Sequence, residues 1–100
     1  MIKAYRSYLK IERAMSQNTV ASYCSDISKF LEALDIAPEH VSSDDIYSYL
    51  AGCNHVSKRT QARMLSSLRS FFGWMVLEGY IKDNPSDMVD SPKLGRYLPD

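Results

Sequence analysis

Basic side chains gather near the start of one long helical stretch in this 100-residue chain. The stretch runs from Ser57 to Gly79 and carries four basic residues but a single acid, Glu78, close to its end. Lysine and arginine bind phosphate groups because they displace the counterions of a polyanion. The stretch therefore predicts a surface for an anionic ligand, and the groove of a nucleic acid is one such ligand.

The same stretch has the periodicity of an amphipathic helix with two distinct faces. The face that we expect to be buried consists of Met64, Leu65, Leu68, Phe71, Phe72 and Met75. The opposite face consists of Arg59, Ala62, Arg63, Ser66, Ser70 and Gly73. This second face is cationic at its start and lined by small residues thereafter, so we expect another body to approach the helix backbone closely along it.

Groups that could carry out catalysis are scattered along the chain. His40 and His55 lack a neighbouring carboxylate or cysteine at the spacing of metal ligands. Cys24 and Cys53 fall at apolar helical positions, which favours small core residues over nucleophiles. No glycine-rich phosphate loop is present. We therefore expect this chain to hold no catalytic site, no metal and no cofactor.

Length and composition indicate one soluble domain. One hundred residues can support a single core, and no apolar run approaches the roughly 20 residues that a membrane span needs. The chain start does not resemble a secretory signal and the cysteines stand alone, so we expect no membrane association and a reducing, cytoplasmic setting.

Formal charge sums to zero, but the charges are separated along the chain. Six acids and only Lys29 lie between residues 26 and 49, whereas residues 57–75 carry four bases and no acid. Charge separated in this way produces a local field even when the total vanishes.

Four helices are predicted to position these residues, and no strand alternation is visible. The predicted spans are residues 2–13, 17–34, about three turns from 43, and 57–79. The predicted N-caps are Ser16, Ser42 and Ser57, with Asp45 completing a capping box and Gly79 ending the last helix. We also expect Tyr5, Tyr23 and Tyr49 to lie in the core, and Tyr80 and Ile81 to fold back onto it.

The C-terminal part predicts one further short turn and then a tail. Asn84-Pro85-Ser86 is typical of a helix break followed by a cap. Residues 91–100 are rich in proline and have no periodic pattern. We therefore assign residues 1–90 to one helical domain and residues 91–100 to a linker that leads to an absent domain.

Taken together, these motifs resemble the N-terminal core-binding domain of tyrosine site-specific recombinases of the Xer-like and phage-integrase-like family. The resemblance covers nearly the whole chain. It is carried by Ser16-x-Asn18-Thr19-x-x-x-Tyr23-x-x-Asp26-Ile27-x-x-Phe30-Leu31 and by Ser57-x-x-Thr60-x-x-Arg63-x-Leu65-Ser66-x-Leu68-Arg69-x-Phe71-Phe72-x-Trp74. It continues through Glu78-Gly79-Tyr80-Ile81-x-x-Asn84-Pro85, Ser91-Pro92-Lys93 and Leu98-Pro99.

The resemblance implies an all-α fold, a SAM-like four-helix bundle with a short extra C-terminal turn and an extended linker tail. It also implies that the second and fourth helices face double-stranded DNA. The DNA-binding residues that it assigns are Gln17, Asn18, Thr19, Ser22, Lys29, Lys58, Arg59, Thr60, Gln61, Arg63, Ser66 and Arg69. The basic side chains would contact phosphates, and the amides of Gln17, Asn18 and Gln61 would read base edges.

The family's catalytic tyrosine and its assisting residues belong to a C-terminal domain, so the resemblance implies that this chain binds DNA without cleaving it. The parent protein would be a recombinase that exchanges strands through a covalent phosphotyrosine and needs no cofactor. Its partners would be duplex DNA and other protomers on that DNA, while the isolated domain would be a monomer.

Two other classes of protein stay open on the sequence. The first is a SAM-like module that binds another protein through the acidic segment 35–45. The second is a helix-turn-helix regulator whose reading unit is formed by the third and fourth helices. The regulator is disfavoured because the basic residues of the fourth helix lie at its start and the rest of that helix serves the core.

Overall fold

The computed structural model describes residues 2–53, 56–87 and 89, which contain four α-helices. They are α1 at Ile2–Ser7, α2 at Gln17–Leu34, α3 at Ser43–Gly52 and α4 at Lys58–Leu77. A π-helical turn, Tyr8–Glu12, extends α1, and a 3₁₀ turn, Pro38–His40, lies between α2 and α3. No strand occurs in this part of the chain, so the predicted all-α bundle is confirmed. The proposed linker, residues 91–100, lies outside the described residues.

The first helical segment has the predicted extent but a different geometry in its second half. Five residues widen into a π-helical turn, which ends where the Arg13 amide donates to the Tyr8 carbonyl at 3.1 Å. Ala14 then adopts a positive φ of 49°, which turns the chain toward α2. This segment buries Tyr5 and Leu9 completely. The sequence carries no local signal for the wide turn.

Serine side chains begin the three longer helices as predicted. The Oγ atoms of Ser16, Ser42 and Ser57 accept hydrogen bonds from backbone amides three residues ahead, at 3.1–3.2 Å. At Ser42 the carboxylate of Asp45 also accepts from the backbone amide of Ser42 at 2.9 Å, which completes the capping box. These bonds satisfy amides that have no partner inside the helix.

Helices α2 and α4 form the centre of the bundle and carry most of the core. The predicted apolar stripe of α4 is buried throughout, and it meets Val20, Cys24, Ile27 and Phe30 of α2. Aromatic rings interlock there in edge-to-face pairs: Phe30 lies 6.1 Å from Phe72, and Phe71 lies 5.2 Å from Tyr5. Such pairs stabilise a core beyond the area that they bury.

The chain after α4 returns to the bundle. Gly79 has a φ of 83° and belongs to a Schellman motif, in which the amides of Tyr80 and Gly79 donate to the carbonyls of Met75 and Val76. The ring of Tyr80 rests 5.8 Å from Trp74 although almost half of the side chain is exposed. A turn forms at residues 85–87, earlier than the predicted one at 87–89, of which residue 88 lies outside the described residues.

Candidate nucleic-acid interface

The N-terminal parts of α2 and α4 meet at a small open cleft of about 240 Å³. Its walls are formed by Asn18, Thr19, Ser22 and Tyr23 of α2 and by Arg63 of α4. Four of these five residues, all but Tyr23, are among those that the family resemblance assigned to DNA binding. The two helices therefore bring together side chains that are some 40 positions apart in the chain. We term the space that these five residues line the α2–α4 cleft.

An ion pair fastens the two walls of the cleft. Arg63 donates from Nε and Nη2 to the two carboxylate oxygens of Asp26, at 3.0 and 2.8 Å. Asp26 also accepts from the hydroxyl of Ser67 at 2.8 Å. The carboxylate side chain is 7% exposed, whereas the arginine side chain is 46% exposed. These hydrogen bonds raise the pKa of Arg63, so the guanidinium stays charged.

The first turn of α4 presents further cations to solvent. Lys58 and Arg59 are exposed, and neither forms an ion pair with any described residue. Thr60 is half-buried, and its hydroxyl accepts a hydrogen bond from the Ser57 hydroxyl at 3.0 Å. Ser66 is exposed two turns further along. On α2, Gln17 and Lys29 are exposed and do not line the cleft.

Two of the predicted contact residues, Gln61 and Arg69, donate to backbone carbonyls of other segments. Gln61 is 8% exposed, and its Nε2 donates to the carbonyl of Cys53 at 2.7 Å. Arg69 donates from Nη2 to the carbonyl of Val89 at 2.6 Å. In this conformation the amide of Gln61 ties the start of α4 to the end of α3, and Arg69 holds the returning chain. Neither side chain lines the α2–α4 cleft.

The small-residue face of α4 is open over only part of its length. Ser66 is exposed, but Ser70 accepts a hydrogen bond from the Tyr5 hydroxyl at 2.9 Å. At Gly73 a Cβ atom would lie 3.6 Å from Nδ2 of Asn84. The expectation of an open face down to Gly73 is therefore wrong, because α1 and the returning chain cover its second half.

Comparison with known proteins identifies the family of this bundle. The family model of the phage integrase N-terminal SAM-like domain matches residues 2–79. The chain belongs to this family. The matched residues include all four helices, so both helices that form the α2–α4 cleft belong to this SAM-like domain.

Relatives of this SAM-like domain carry the names of recombinases. Tyrosine recombinase XerC of Leptospira interrogans is 37% identical over 97% of the chain, and XerC of Thermodesulfovibrio yellowstonii is 35% identical over 98%. Tyrosine recombinase XerD of Chlorobaculum tepidum is 32% identical over 98%. The chain spans about one third of the length of these relatives.

A solved structure has the same fold. The integrase from mycobacterium phage Brujita superposes with a TM-score of 0.83 at 26% identity, over 94% of this chain and 32% of that one. The predicted recombinase-type N-terminal domain is thus confirmed as to family and fold.

The list of predicted contacts lacks three residues at the cleft: Tyr23 lines it, Asp26 holds Arg63, and Ser67 donates to Asp26. Asp26 was counted as one of six acids in residues 26–49 and as part of the family motif, yet it is buried and paired with Arg63. Its neighbours at three and four positions, Tyr23 and Phe30, are aromatic. An acid between aromatic neighbours on one helix face is the signal that could have located it.

The described residues of the domain show no group of three or more metal-ligating side chains, and none of their helices could cross a membrane. Burial raises the pKa of the Cys24 thiol, which agrees with a core residue. Among the exposed acids, Asp44 lies in the first turn of α3, where negative charge stabilises the helix dipole. The helix start thus gives a local structural explanation for Asp44, as the capping box does for Asp45.

Proposed function

We propose that this chain binds duplex DNA through the α2–α4 cleft and the first turn of α4, as the N-terminal domain of a tyrosine recombinase. The observation that carries the proposal is the meeting of polar side chains from both helices beside three cationic ones, Lys58, Arg59 and Arg63. Amide, hydroxyl and guanidinium groups at helix starts are the groups that bind phosphates and base edges.

Each side chain has a role that follows from its chemistry. Lys58, Arg59 and Lys29 would displace counterions from phosphates and fix orientation. Asn18 and Gln17 carry amides that match the edge of adenine. The hydroxyls of Thr19, Ser22, Thr60 and Ser66 complete the surface as donors or acceptors to the sugar-phosphate backbone.

The parent protein, on this proposal, is an enzyme that breaks and rejoins DNA strands through a phosphotyrosine, without a cofactor. Its catalytic residues lie outside this chain, which covers about a third of the related recombinases. Residues 91–100 would link the two domains. A second domain on the same duplex raises the effective concentration of this one. Modest affinity of this domain alone is therefore compatible with tight binding by the whole protein.

The proposal is tested by a chemical-shift titration of the ¹⁵N-labelled chain with a short duplex at low salt, repeated as salt is raised. We expect shifts concentrated at Asn18, Ser22, Arg59 and Ser66, and a salt slope that corresponds to about three to five neutralised phosphates. Shifts spread over α3 or no shifts at low salt would contradict the proposal.

A matched pair of variants separates local contacts from general charge. Arg59→Ala should weaken binding about equally for all duplex sequences and lower the salt slope by about one. Lys82→Ala removes the same charge beyond the far end of α4, a helix of 20 residues and about 30 Å. The control should leave affinity nearly unchanged. Equal effects of the two variants would mean that no defined surface contacts the DNA.

A further inference from the structure

The ion pair in the α2–α4 cleft uses only one edge of the guanidinium of Arg63. An arginine head group carries five N–H donors: one on Nε and two on each Nη. Asp26 accepts one from Nε and one from Nη2. Three N–H groups are left, two on Nη1 and one on Nη2. One N–H of Nη1 and the remaining N–H of Nη2 lie side by side at the end of the group and form its free edge, whereas the second N–H of Nη1 lies on the side of Cδ. The side chain is 46% exposed.

The carboxylate that holds Arg63 is itself fixed. Asp26 is nearly buried, and its Oδ2 accepts a further hydrogen bond from Ser67, a residue with no exposed surface. The Oγ atom of Ser67 also lies 3.1 Å from the backbone carbonyl oxygen of Arg63, a second acceptor for its single proton. The plane of the guanidinium is therefore set by the fold, and less side-chain freedom has to be lost when a ligand binds.

The positive charge of Arg63 is already balanced by the carboxylate of Asp26, whereas the charges of Lys58 and Arg59 are not balanced by any described residue. Lys58 and Arg59 have no acidic partner among the described residues and suit phosphates. Arg63 is paired at short range with Asp26, so a phosphate would meet a carboxylate beside the cation. A neutral ligand with two acceptors side by side meets no such repulsion.

The free edge matches one group in the major groove of DNA. Guanine presents O6 and N7 as adjacent acceptors, and two N–H groups of one arginine can bind both. The other walls of the cleft are formed by uncharged side chains, Asn18, Thr19, Ser22 and Tyr23, which leave room for the edge of a base pair.

We propose that Arg63 reads a guanine in the target duplex and that Asp26 is the positioning residue that aims it. This inference rests on the proposed DNA binding, and it changes the role of Arg63 from a phosphate contact to the main source of sequence preference in this domain.

The test selects duplexes from a pool with a randomised segment, using the 100-residue chain at low salt. The wild type should enrich sequences with one fixed G·C pair. Arg63→Lys keeps the charge but replaces the rigid planar fork, which Asp26 holds along one edge, with three rotatable donors on a flexible stem. The guanine preference should therefore weaken by roughly 5- to 100-fold while the salt slope stays the same. Arg59→Ala should lose affinity and keep the preference.

Asp26→Asn tests the positioning role, since it keeps the shape but not the charge of the carboxylate. As a single substitution it should lower the guanine preference relative to the wild type. Added to Arg63→Lys, it should not lower the preference further. Thermal unfolding of each variant defines a temperature at which all are folded. If Asp26→Asn does not fold, Ser67→Ala, which removes only one hydrogen bond to Asp26, takes its place.

The outcomes separate this inference from the proposed function. Enrichment of guanine that depends on Arg63 and Asp26 supports the inference. A wild type that binds duplexes without any base preference, or an Arg63→Lys variant that keeps it, overturns the inference and leaves the DNA-binding proposal standing. Failure of the wild type to bind any duplex in the pool overturns both.

Discussion

At the scale of single residues, burial differs sharply between the two members of the Asp26–Arg63 pair. The carboxylate is 7% exposed and the guanidinium 46%. A charge that loses its partner destabilises the fold more when it is buried than when water can solvate it. The two ends of this ion pair are therefore not equivalent, although they share the same two hydrogen bonds.

Removal of either partner should reveal that difference. Arg63→Ala leaves a buried carboxylate with Ser67 as its remaining side-chain donor, and we expect a loss of about 2–4 kcal/mol in the free energy of unfolding. Asp26→Ala leaves a cation that water can solvate, so about 1–2 kcal/mol is expected. Urea denaturation at pH 7 measures both. A larger loss for Asp26→Ala would show that the cation, not the carboxylate, is the buried group.

Two phenols give the fold a dependence on alkaline pH. Burial raises the pKa of Tyr49 to about 12 and the pKa of Tyr5 further, from an ordinary value of 10.0. Between pH 10 and 12 the unfolded chain releases these protons and the folded chain keeps them. The contribution of these two phenols to stability should therefore be constant below about pH 9 and fall as the pH rises above 10.

Urea midpoints measured between pH 8 and 11.5 test this dependence, with Tyr49→Phe as the informative variant. The fall of stability with pH should be shallower in the variant than in the wild type. An identical slope would mean that the Tyr49 phenol ionises equally easily in both states.

At the scale of elements, what could be predicted was local. The caps at Ser16, Ser42 and Ser57 and the apolar stripe of α4 depend on residues within one or two turns, and the structure confirms them. The partner of Arg69, by contrast, is a carbonyl 20 residues away, which no local pattern indicates. Gln61 had a usable signal, because Met64 and Leu65 continue the core stripe directly after it.

Two glycines near helix ends offer a matched comparison of backbone effects. Neither Gly52 nor Gly79 would bring an added Cβ within 4 Å of another group, but only Gly79 has a positive φ, of 83°. Gly79→Ala should cost about 1 kcal/mol because an L side chain disfavours that region. Gly52→Ala should stabilise α3 by about 0.4–1 kcal/mol because the unfolded chain loses freedom.

Thermal unfolding of the two glycine variants provides the measurement, and the two melting temperatures should move in opposite directions. A shift of the same sign in both would mean that the left-handed conformation of Gly79 does not determine how α4 ends.

At the scale of the whole molecule, zero net charge and a cationic surface coexist because the charges are apart. The exposed acid Glu32 lies in the last turn of α2, about 20 Å along the helix from Asn18, and the exposed Glu39 lies in the 3₁₀ turn that follows. The screening length is about 10 Å at 0.1 M salt. The acids should therefore affect approach to DNA from a distance without altering contacts at the cleft.

Reversal of those acids tests this separation. Glu32→Lys with Glu39→Lys raises the formal net charge from zero to four. Affinity for a duplex should increase severalfold at about 0.01 M salt, where the screening length is about 30 Å, and return nearly to the wild-type value at 0.15 M. The residues that shift in the titration should stay the same. New chemical-shift changes around positions 32 and 39 would show that the duplex binds to any basic surface and not specifically at the α2–α4 cleft.

The single tryptophan of the chain, Trp74, lies where three segments of the bundle meet. Trp74 is 3% exposed and lies within 6 Å of the rings of Tyr5, Phe71 and Tyr80, so it touches α1, its own helix and the returning chain at once. Its fluorescence therefore reports whether both ends of the described chain are seated on the bundle. Excitation of tyrosine followed by tryptophan emission gives a signal for correct assembly without any attached dye.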